Sequence, residues 1–106
     1  MNDTKFAEDI EIEIDEVINE KITEPSKYKV IFFNDDATPI DWVIEVLHNI
    51  FKHPIEQAEK LTVQIHTEGS STVGIYTYEV AEQKAVEATT ASRERGHPLQ
   101  IKVEQE

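Results

Sequence analysis

The chain has 106 residues, with 22 acidic and 10 basic side chains and a formal net charge of -12 at pH 7. This length allows one small domain and excludes a large multi-layer enzyme. The negative charge excludes proteins that bind a phosphate backbone by counterion release, so we expect neither DNA nor RNA as a partner. Hydrophobic residues make up 39% of the chain, which is enough for a compact core.

The absence of cysteine excludes disulfides, thiolate nucleophiles and the common structural zinc sites. Residues 1–24 are acidic and contain no long apolar run. We therefore expect neither a signal peptide nor a membrane-spanning segment, and we predict an intracellular protein without membrane contact.

The charge distribution divides the chain once. Residues 1–25 carry nine acidic side chains and two lysines, without Gly or Trp. Such a segment buries little, which predicts a flexible acidic extension over 1–25 and a folded domain over 26–106. Isoleucine alternates with glutamate from position 10 to 14, as in a strand with one apolar face. A strand or a partner-binding segment therefore remains an alternative for residues 10–14.

The domain begins with a predicted buried strand over 28–33, which Asn34-Asp35-Asp36 ends in a loop. Thr38 is the predicted N-cap of a first helix, with Pro39 at its first helical position. Apolar residues then recur at helical spacing to about residue 52. These residues are Ile40, Val43, Ile44, Leu47, Ile50 and Phe51.

A second helix is predicted from Pro54 to a stop at Gly69. Residues 62–66 fit both a helix and an alternating strand, so the end of this helix stays open. A second strand is expected over 71–76.

The chain then predicts a third helix from a cap at Thr77 to a stop at Gly96, and a last strand in which Leu99, Ile101 and Val103 alternate with polar residues. The order β-α-α-β-α-β predicts a small single α+β domain. Its three-stranded antiparallel sheet would carry three helices on one face.

The sequence contains little that supports a catalytic site or a metal site. The histidines at 48, 53, 66 and 97 lack the spacing of a helical zinc site, so we expect no metal and no other cofactor. Asp35 and Asp36 could act as an acid/base pair, but adjacent side chains tend to point apart and no motif supplies a nucleophile, so turn formation is the better explanation of both residues. We therefore predict a protein that is not an enzyme.

The acceptor-rich loop beside an apolar helix predicts a pocket with a polar mouth and hydrophobic walls. Such a pocket suits a cation that is joined to an apolar group. A free protein N-terminus fits this description, because its α-ammonium group carries three donors next to the first side chain.

Several segments resemble the ClpS adaptor proteins. They are residues 28–40, the segment around His66, residues 78–84 and the ending His97-Pro98-Leu99, and the resemblance spans residues 25–103. The most specific signal is a strand followed by Asn-Asp-Asp-x-Thr-Pro and a helix.

The resemblance implies a non-enzymatic adaptor that binds N-degron substrates, whose first residue is Leu, Phe, Tyr or Trp, and delivers them to the ClpA unfoldase of the ClpAP protease. Asn34 and His66 would bond the α-amino group, Asp36 would add acceptors and charge, and Asp35 would meet the peptide beyond its first residue. Without the resemblance, His66 would be explained as a histidine of a helix surface or core edge.

The resemblance also implies a pocket for the first side chain. Its walls would be Phe32, Thr38, Ile40, Val43, Thr62, Ile65 and Leu99. The family commonly has methionine at positions 40 and 62, and the stiffer Ile40 and Thr62 leave the ranking of first residues open.

Glu79 and Lys84 match the family surface that docks on the ClpA N-terminal domain, although a solvated helix face is the simpler explanation. The extension would serve delivery, since 25 residues reach about 80–90 Å when extended, or it would only confer solubility. The resemblance implies a monomer of the bacterial cytoplasm. An acidic inhibitor or decoy without specificity for the first residue is the alternative function, followed by a small hydrolase.

Overall fold

The computed structural model describes residues 26–106. The predicted extension over residues 1–25, including the isoleucine pattern from 10 to 14, lies outside the described residues. Within residues 26–106, no helix is long and apolar enough to cross a membrane.

The described chain forms three strands and three helices in the predicted order β-α-α-β-α-β. They are β1 (Lys27–Phe33), α1 (Ile40–Asn49), α2 (Ile55–Glu68), β2 (Ser70–Thr77), α3 (Tyr78–Glu94) and β3 (Gln100–Gln105). The sheet order is β2-β1-β3, and both strand pairs are antiparallel. The predicted α+β fold is confirmed.

The core lies between the sheet and the helices. Val30 and Phe32 of β1 are fully buried and belong to one apolar cluster with residues of all three helices. Helix α3 contributes small residues to this cluster, namely Ala81, Ala85 and Ala88. Their size lets α3 approach the sheet closely, as one face of an amphipathic helix must do to bury its apolar atoms.

The starts of the first two helices differ from the prediction by one residue. Pro39 is the N-cap of α1 rather than its first residue, because the Pro39 carbonyl accepts hydrogen bonds from the backbone N–H groups of Trp42 and Val43. The predicted cap at Thr38 is wrong, since the Thr38 hydroxyl donates to the Asp35 carboxylate instead, at 2.8 Å. Pro54 is likewise the N-cap of α2.

The open question about residues 62–66 is answered by a helix. Ala58, Leu61, Thr62 and Ile65 are the buried residues of α2 and follow the helical period. Gly69 ends α2 with a φ of 90°, a left-handed conformation that glycine adopts without steric cost.

Trp42 joins α1 to α3 inside the core. Its Nε1–H donates to Ser92 Oγ at 2.8 Å, and the Ser92 hydroxyl donates in turn to the Ala88 carbonyl at 2.8 Å. Both side chains are buried, and this chain of hydrogen bonds satisfies their polar atoms. The link holds α1, and hence the loop that precedes it, at a defined position.

Candidate functional site

The candidate site lies at the end of the sheet where β1 stops. The Asn34 N–H donates to the Gly69 carbonyl at 2.9 Å, which joins the loop after β1 to the turn after α2. His66 lies in the last turn of α2, three residues before Gly69. This connection brings Asn34 and His66 to the rim of one cavity.

Four parts of the chain line the cavity: the end of β1 with its loop, the start of α1, the second half of α2 and the segment before β3. The lining residues are Phe33, Asn34, Asp35, Thr38, Ile40, Val43, Thr62, Ile65, His66 and Leu99. The free volume is about 20 Å³, which is room for about one water molecule. A large side chain therefore requires the walls to move.

Three of the predicted amine-binding residues line the cavity, namely Asn34, Asp35 and His66. The fourth, Asp36, does not, and lies exposed in the same loop. All predicted wall residues line the cavity except Phe32. The binding roles of these residues stay predictions.

Phe32 is fully buried and packs edge-on against Phe51, with ring centroids 5.4 Å apart. Successive strand residues point to opposite faces of a sheet, so Phe32 faces the helices and Phe33 does not. Phe33 is the last residue of β1 and is the phenylalanine that reaches the cavity. The only sequence signal that could have placed Phe33 at the cavity was its position as the last residue of the predicted strand.

The Asp35 carboxylate organises the loop. One oxygen, Oδ1, accepts hydrogen bonds from the N–H groups of Ala37 and Thr38 at 2.8 and 2.6 Å, and Oδ2 accepts the Thr38 hydroxyl. Burial raises the pKa of this carboxyl, but these bonds and the charge of Arg93 together outweigh burial and hold the pKa below its usual value. The rim therefore keeps a negative charge.

The two threonines of the cavity do not offer free hydroxyl donors. Thr38 donates to Asp35, and Thr62 donates to the Ala58 carbonyl at 2.8 Å within α2. Because both hydroxyls are already hydrogen-bonded, Thr62 adds less polarity to the wall than its residue type suggests. The interior consequently has mostly apolar character.

Ile40 borders both the cavity and an open groove between α1 and α2. Its side chain is 55% exposed, whereas Val43, Ile65 and Leu99 are buried and Phe33 is half-buried. The groove has a volume of about 240 Å³, and Ile40, Thr62 and His66 line it as well as the cavity. Ile40 is thus the apolar wall residue with the fewest constraints on outward movement.

Arg93 supports the floor of the cavity. Its Nη1 donates to the Leu99 carbonyl at 2.8 Å and to the His97 carbonyl at 3.0 Å. Leu99 itself is almost completely buried. Sequence analysis missed this role of Arg93, because its two partners lie beyond the Gly96 turn and no local motif connects them.

The predicted docking residues lie away from the cavity. Glu79 is exposed in the first turn of α3, just after β2 ends. Lys84 is half-buried, and its Nζ donates to the Ile50 carbonyl at 2.9 Å and lies 5.6 Å from the Tyr76 ring centroid. The cavity adjoins the start of β2, so the length of this strand, about 25 Å, separates it from Glu79.

Fold and site together define a small binding domain, with charged and polar side chains on the rim of an apolar cavity. Within residues 26–106, no cluster of three or more His, Cys, Asp or Glu side chains could hold a metal ion. The family model described as ATP-dependent Clp protease adaptor protein ClpS matches residues 23–102. The chain belongs to the ClpS family of Clp protease adaptors.

Individual relatives agree with this assignment. The ATP-dependent Clp protease adapter protein ClpS of Treponema denticola is 46% identical over 88 residues, which cover 83% of this chain and 87% of that protein. The Sodalis glossinidius protein of the same name is 45% identical and covers 80% of each chain. These relatives are named as adaptors of a protease, and the chain is accordingly an adaptor and not an enzyme.

A solved structure has the same fold. Agrobacterium tumefaciens ClpS2 bound to L-phenylalaninamide matches with a TM-score of 0.76 and 36% sequence identity. The match covers 78% of this chain and 100% of that one.

Proposed function

We propose that this adaptor binds the free α-amino group and the bulky hydrophobic first side chain of N-degron substrates, and delivers them to the ClpA unfoldase of the ClpAP protease. The observation that carries the proposal is the position of Asn34, Asp35 and His66 on the rim of an apolar cavity. An α-ammonium group has three donors and a positive charge, and the rim offers an amide oxygen, a carboxylate and an imidazole nitrogen. The exposed Asp36 adds negative charge nearby.

The apolar walls favour Leu, Phe, Tyr or Trp as the first residue. Burial of a large apolar side chain contributes about 1.5 to 3 kcal/mol, whereas burial of an unpaired charge is unfavourable. The ligand of the Agrobacterium tumefaciens relative, L-phenylalaninamide, combines a free α-amine with a benzyl side chain. The similarity of the two chains supports the same type of ligand here.

Ligand binding requires the cavity to widen beyond its free volume of about 20 Å³. Outward rotation of Ile40 would join the cavity to the groove between α1 and α2. Because Ile40 is largely exposed, this rotation breaks few packing contacts. The first side chain would then replace Ile40 against Val43, Ile65 and Leu99.

Delivery would use the surface that carries Glu79 and Lys84, which docks on the ClpA N-terminal domain in this proposal. The cavity and Glu79 lie at opposite ends of β2, so a bound substrate leaves the docking surface accessible. The extension over residues 1–25 would enter the unfoldase, while the domain over residues 26–106 stays docked. The setting would be the bacterial cytoplasm, with the adaptor as a monomer.

A degradation assay with ClpAP tests this proposal. The chain should accelerate degradation of a fluorescent reporter that begins with Phe, but not of a matched reporter that begins with Glu. Glu79→Arg should abolish the acceleration without changing the affinity for a Phe peptide. Glu87→Arg, an exposed control on the same helix, should keep it.

Equal acceleration of the two reporters would contradict specificity for the first residue. The alternative, an acidic decoy, predicts salt-sensitive binding to basic proteins whatever their first residue.

A further inference from the structure

Strand β3 has an edge that no strand of the described chain covers. In the sheet order β2-β1-β3, β3 pairs with β1, and within residues 26–106 its other edge has no partner strand. The backbone N–H and C=O groups of such an edge are able to pair with a further strand.

An apolar groove runs beside this edge, between β3 and α3. Its volume is about 310 Å³, and its apolar lining includes Ala85, Val86, Ile101 and Val103. Val86 is 58% exposed, although it belongs to a helix that packs on the sheet. In the register of the sheet, Ile101 lies opposite Phe32 and Val103 opposite Val30, so both face the helices. The groove therefore extends the apolar layer of the core beyond the edge of β3.

The start of the described chain lies beside the end of β3, on the side of β3 that pairs with β1. The Glu106 N–H donates to the Lys27 carbonyl at 2.8 Å, and Gln105 Nε2 donates to Ser26 Oγ at 2.9 Å. The chain that precedes Ser26 thus starts from the same end of the sheet as the end of β3. Residues 15–25 reach up to about 36–40 Å when extended, which exceeds the length of β3 plus two strand spacings of about 4.8 Å.

The sequence upstream contains a segment that matches both the edge and the groove. Isoleucine at positions 10, 12 and 14 shares one face of an extended strand, and glutamate at 11 and 13 shares the other. On the edge of β3, the isoleucine face would cover Val86, Ile101 and Val103. The glutamates would then lie on the outer face of the sheet beside Lys102, whose side chain is 61% exposed and whose Nζ also forms an ion pair with Glu104 at 3.3 Å.

We propose that residues 10–14 dock as a fourth strand on the free edge of β3 and fill the groove between β3 and α3. The docking combines backbone pairing, apolar contact on one face and an attraction between Glu11 or Glu13 and Lys102 on the other. It gives the acidic extension a bound position on its own domain, in addition to any role in delivery.

Cysteine pairs test the position, because the chain contains no cysteine. In full-length protein, Glu11→Cys or Glu13→Cys is combined with Lys102→Cys and oxidised at low concentration. Lys102 lies in the middle of β3. Either position 11 or position 13 would therefore lie beside position 102, whether the docked strand runs parallel or antiparallel to β3. We expect an intrachain disulfide that forms at least about tenfold faster than in the control pair Glu13→Cys with Lys60→Cys, since docking raises the local concentration. Lys60 lies on α2, which packs beside β2 rather than β3. Equal rates, or disulfides formed between two chains, would overturn the proposal.

Hydrogen exchange tests the pairing without new cysteines. Replacement of Ile10, Ile12 and Ile14 by serine in the full chain should accelerate exchange of the outward-facing β3 amides by about tenfold, if docking covers them about nine-tenths of the time. The matched control replaces Val17, Ile18 and Ile22 by serine and should leave the exchange of β3 unchanged. Identical exchange in the unsubstituted chain and both variants would overturn the proposal.

Discussion

The Asp35 carboxylate both stabilises the conformation of the loop after β1 and gives the candidate site a negative charge. Asp35 accepts three hydrogen bonds from Ala37 and Thr38. These bonds hold Thr38 at the cavity wall and stabilise the ionised form of Asp35 at the rim. A loop that satisfies its own polar groups in this way can present a carboxylate to a cation without reorganising.

The role of Asp35 in the loop predicts a pH-dependent effect on stability. Asp35→Asn should lower the free energy of unfolding by about 1 kcal/mol at pH 7, because charge-assisted hydrogen bonds become neutral ones. The folded-state pKa is lowered, so the stabilisation is complete above the unfolded value of about 3.9. It is lost as the pH falls through the folded-state pKa.

Urea unfolding of both chains at pH 7 and at about pH 3 measures this effect, and the difference between the chains should shrink at the lower pH. Asp36→Asn, in the same exposed loop, should have little effect at either pH. A difference for Asp35→Asn that is equally large at both pH values would contradict this account.

His66 gives a prediction about ligand affinity. His66→Ala should weaken binding of a Phe peptide by at least about tenfold, the cost of one hydrogen bond to a charged group. The side chain is exposed, so the melting temperature should change little. Fluorescence anisotropy and thermal unfolding measure the two quantities. Thr67→Ala, at the exposed neighbouring position, is the control and should bind normally; unchanged affinity of His66→Ala would show that another group binds the amine.

Individual residues show where sequence patterns fail. The predicted cap at Thr38 rests on a common propensity, but the nearby Asp35 carboxylate competes for the same hydroxyl. Trp42 lies outside the apolar set used to predict α1, because its buried position depends on Ser92, fifty residues away. The burial of Trp42 thus depends on a residue elsewhere in the fold, and a local sequence pattern contains no information about it.

At the scale of elements, α1 and α2 contribute walls to the cavity, and Ile40 at the start of α1 is its exposed apolar side chain. Ile40→Ala should join the cavity to the outer groove and give larger first residues more room. We expect the affinity for a Trp peptide to rise relative to a Leu peptide by about tenfold, within the range that one or two methylene groups produce in a hydrophobic pocket.

Competition binding with the two peptides measures this ratio. Ile55→Ala removes an exposed isoleucine at the start of α2, away from the cavity lining, and should leave the ratio unchanged. A ratio that is the same in both variants would show that Ile40 does not limit the cavity.

The elements themselves were largely predictable from the sequence. Periodic apolar residues identified α1, and Gly69 marked the end of α2. The helix or strand character of residues 62–66 was not predictable from the pattern, because Thr62 and Ile65 fit a buried position in either structure. Burial of one face of α2 against α1 and β2 selects the helix.

At the scale of the whole molecule, the antiparallel sheet separates the candidate binding cavity from the proposed docking surface. Its one end carries the cavity, and Glu79 lies beyond its other end. This arrangement would let a substrate and an unfoldase bind together without contact between the two sites. The sequence predicted the order of elements, but the position of the cavity follows from the pairing of Asn34 with Gly69, which only the folded chain brings together.

The central claim is that a free α-amino group is bound at the rim of an apolar cavity. The most direct test compares the affinities of a peptide that begins with Phe and of the same peptide acetylated at its N-terminus. The account predicts that acetylation weakens binding at least about 100-fold, because the charge and donors of the ammonium group are lost. Equal affinity for the two peptides would contradict it.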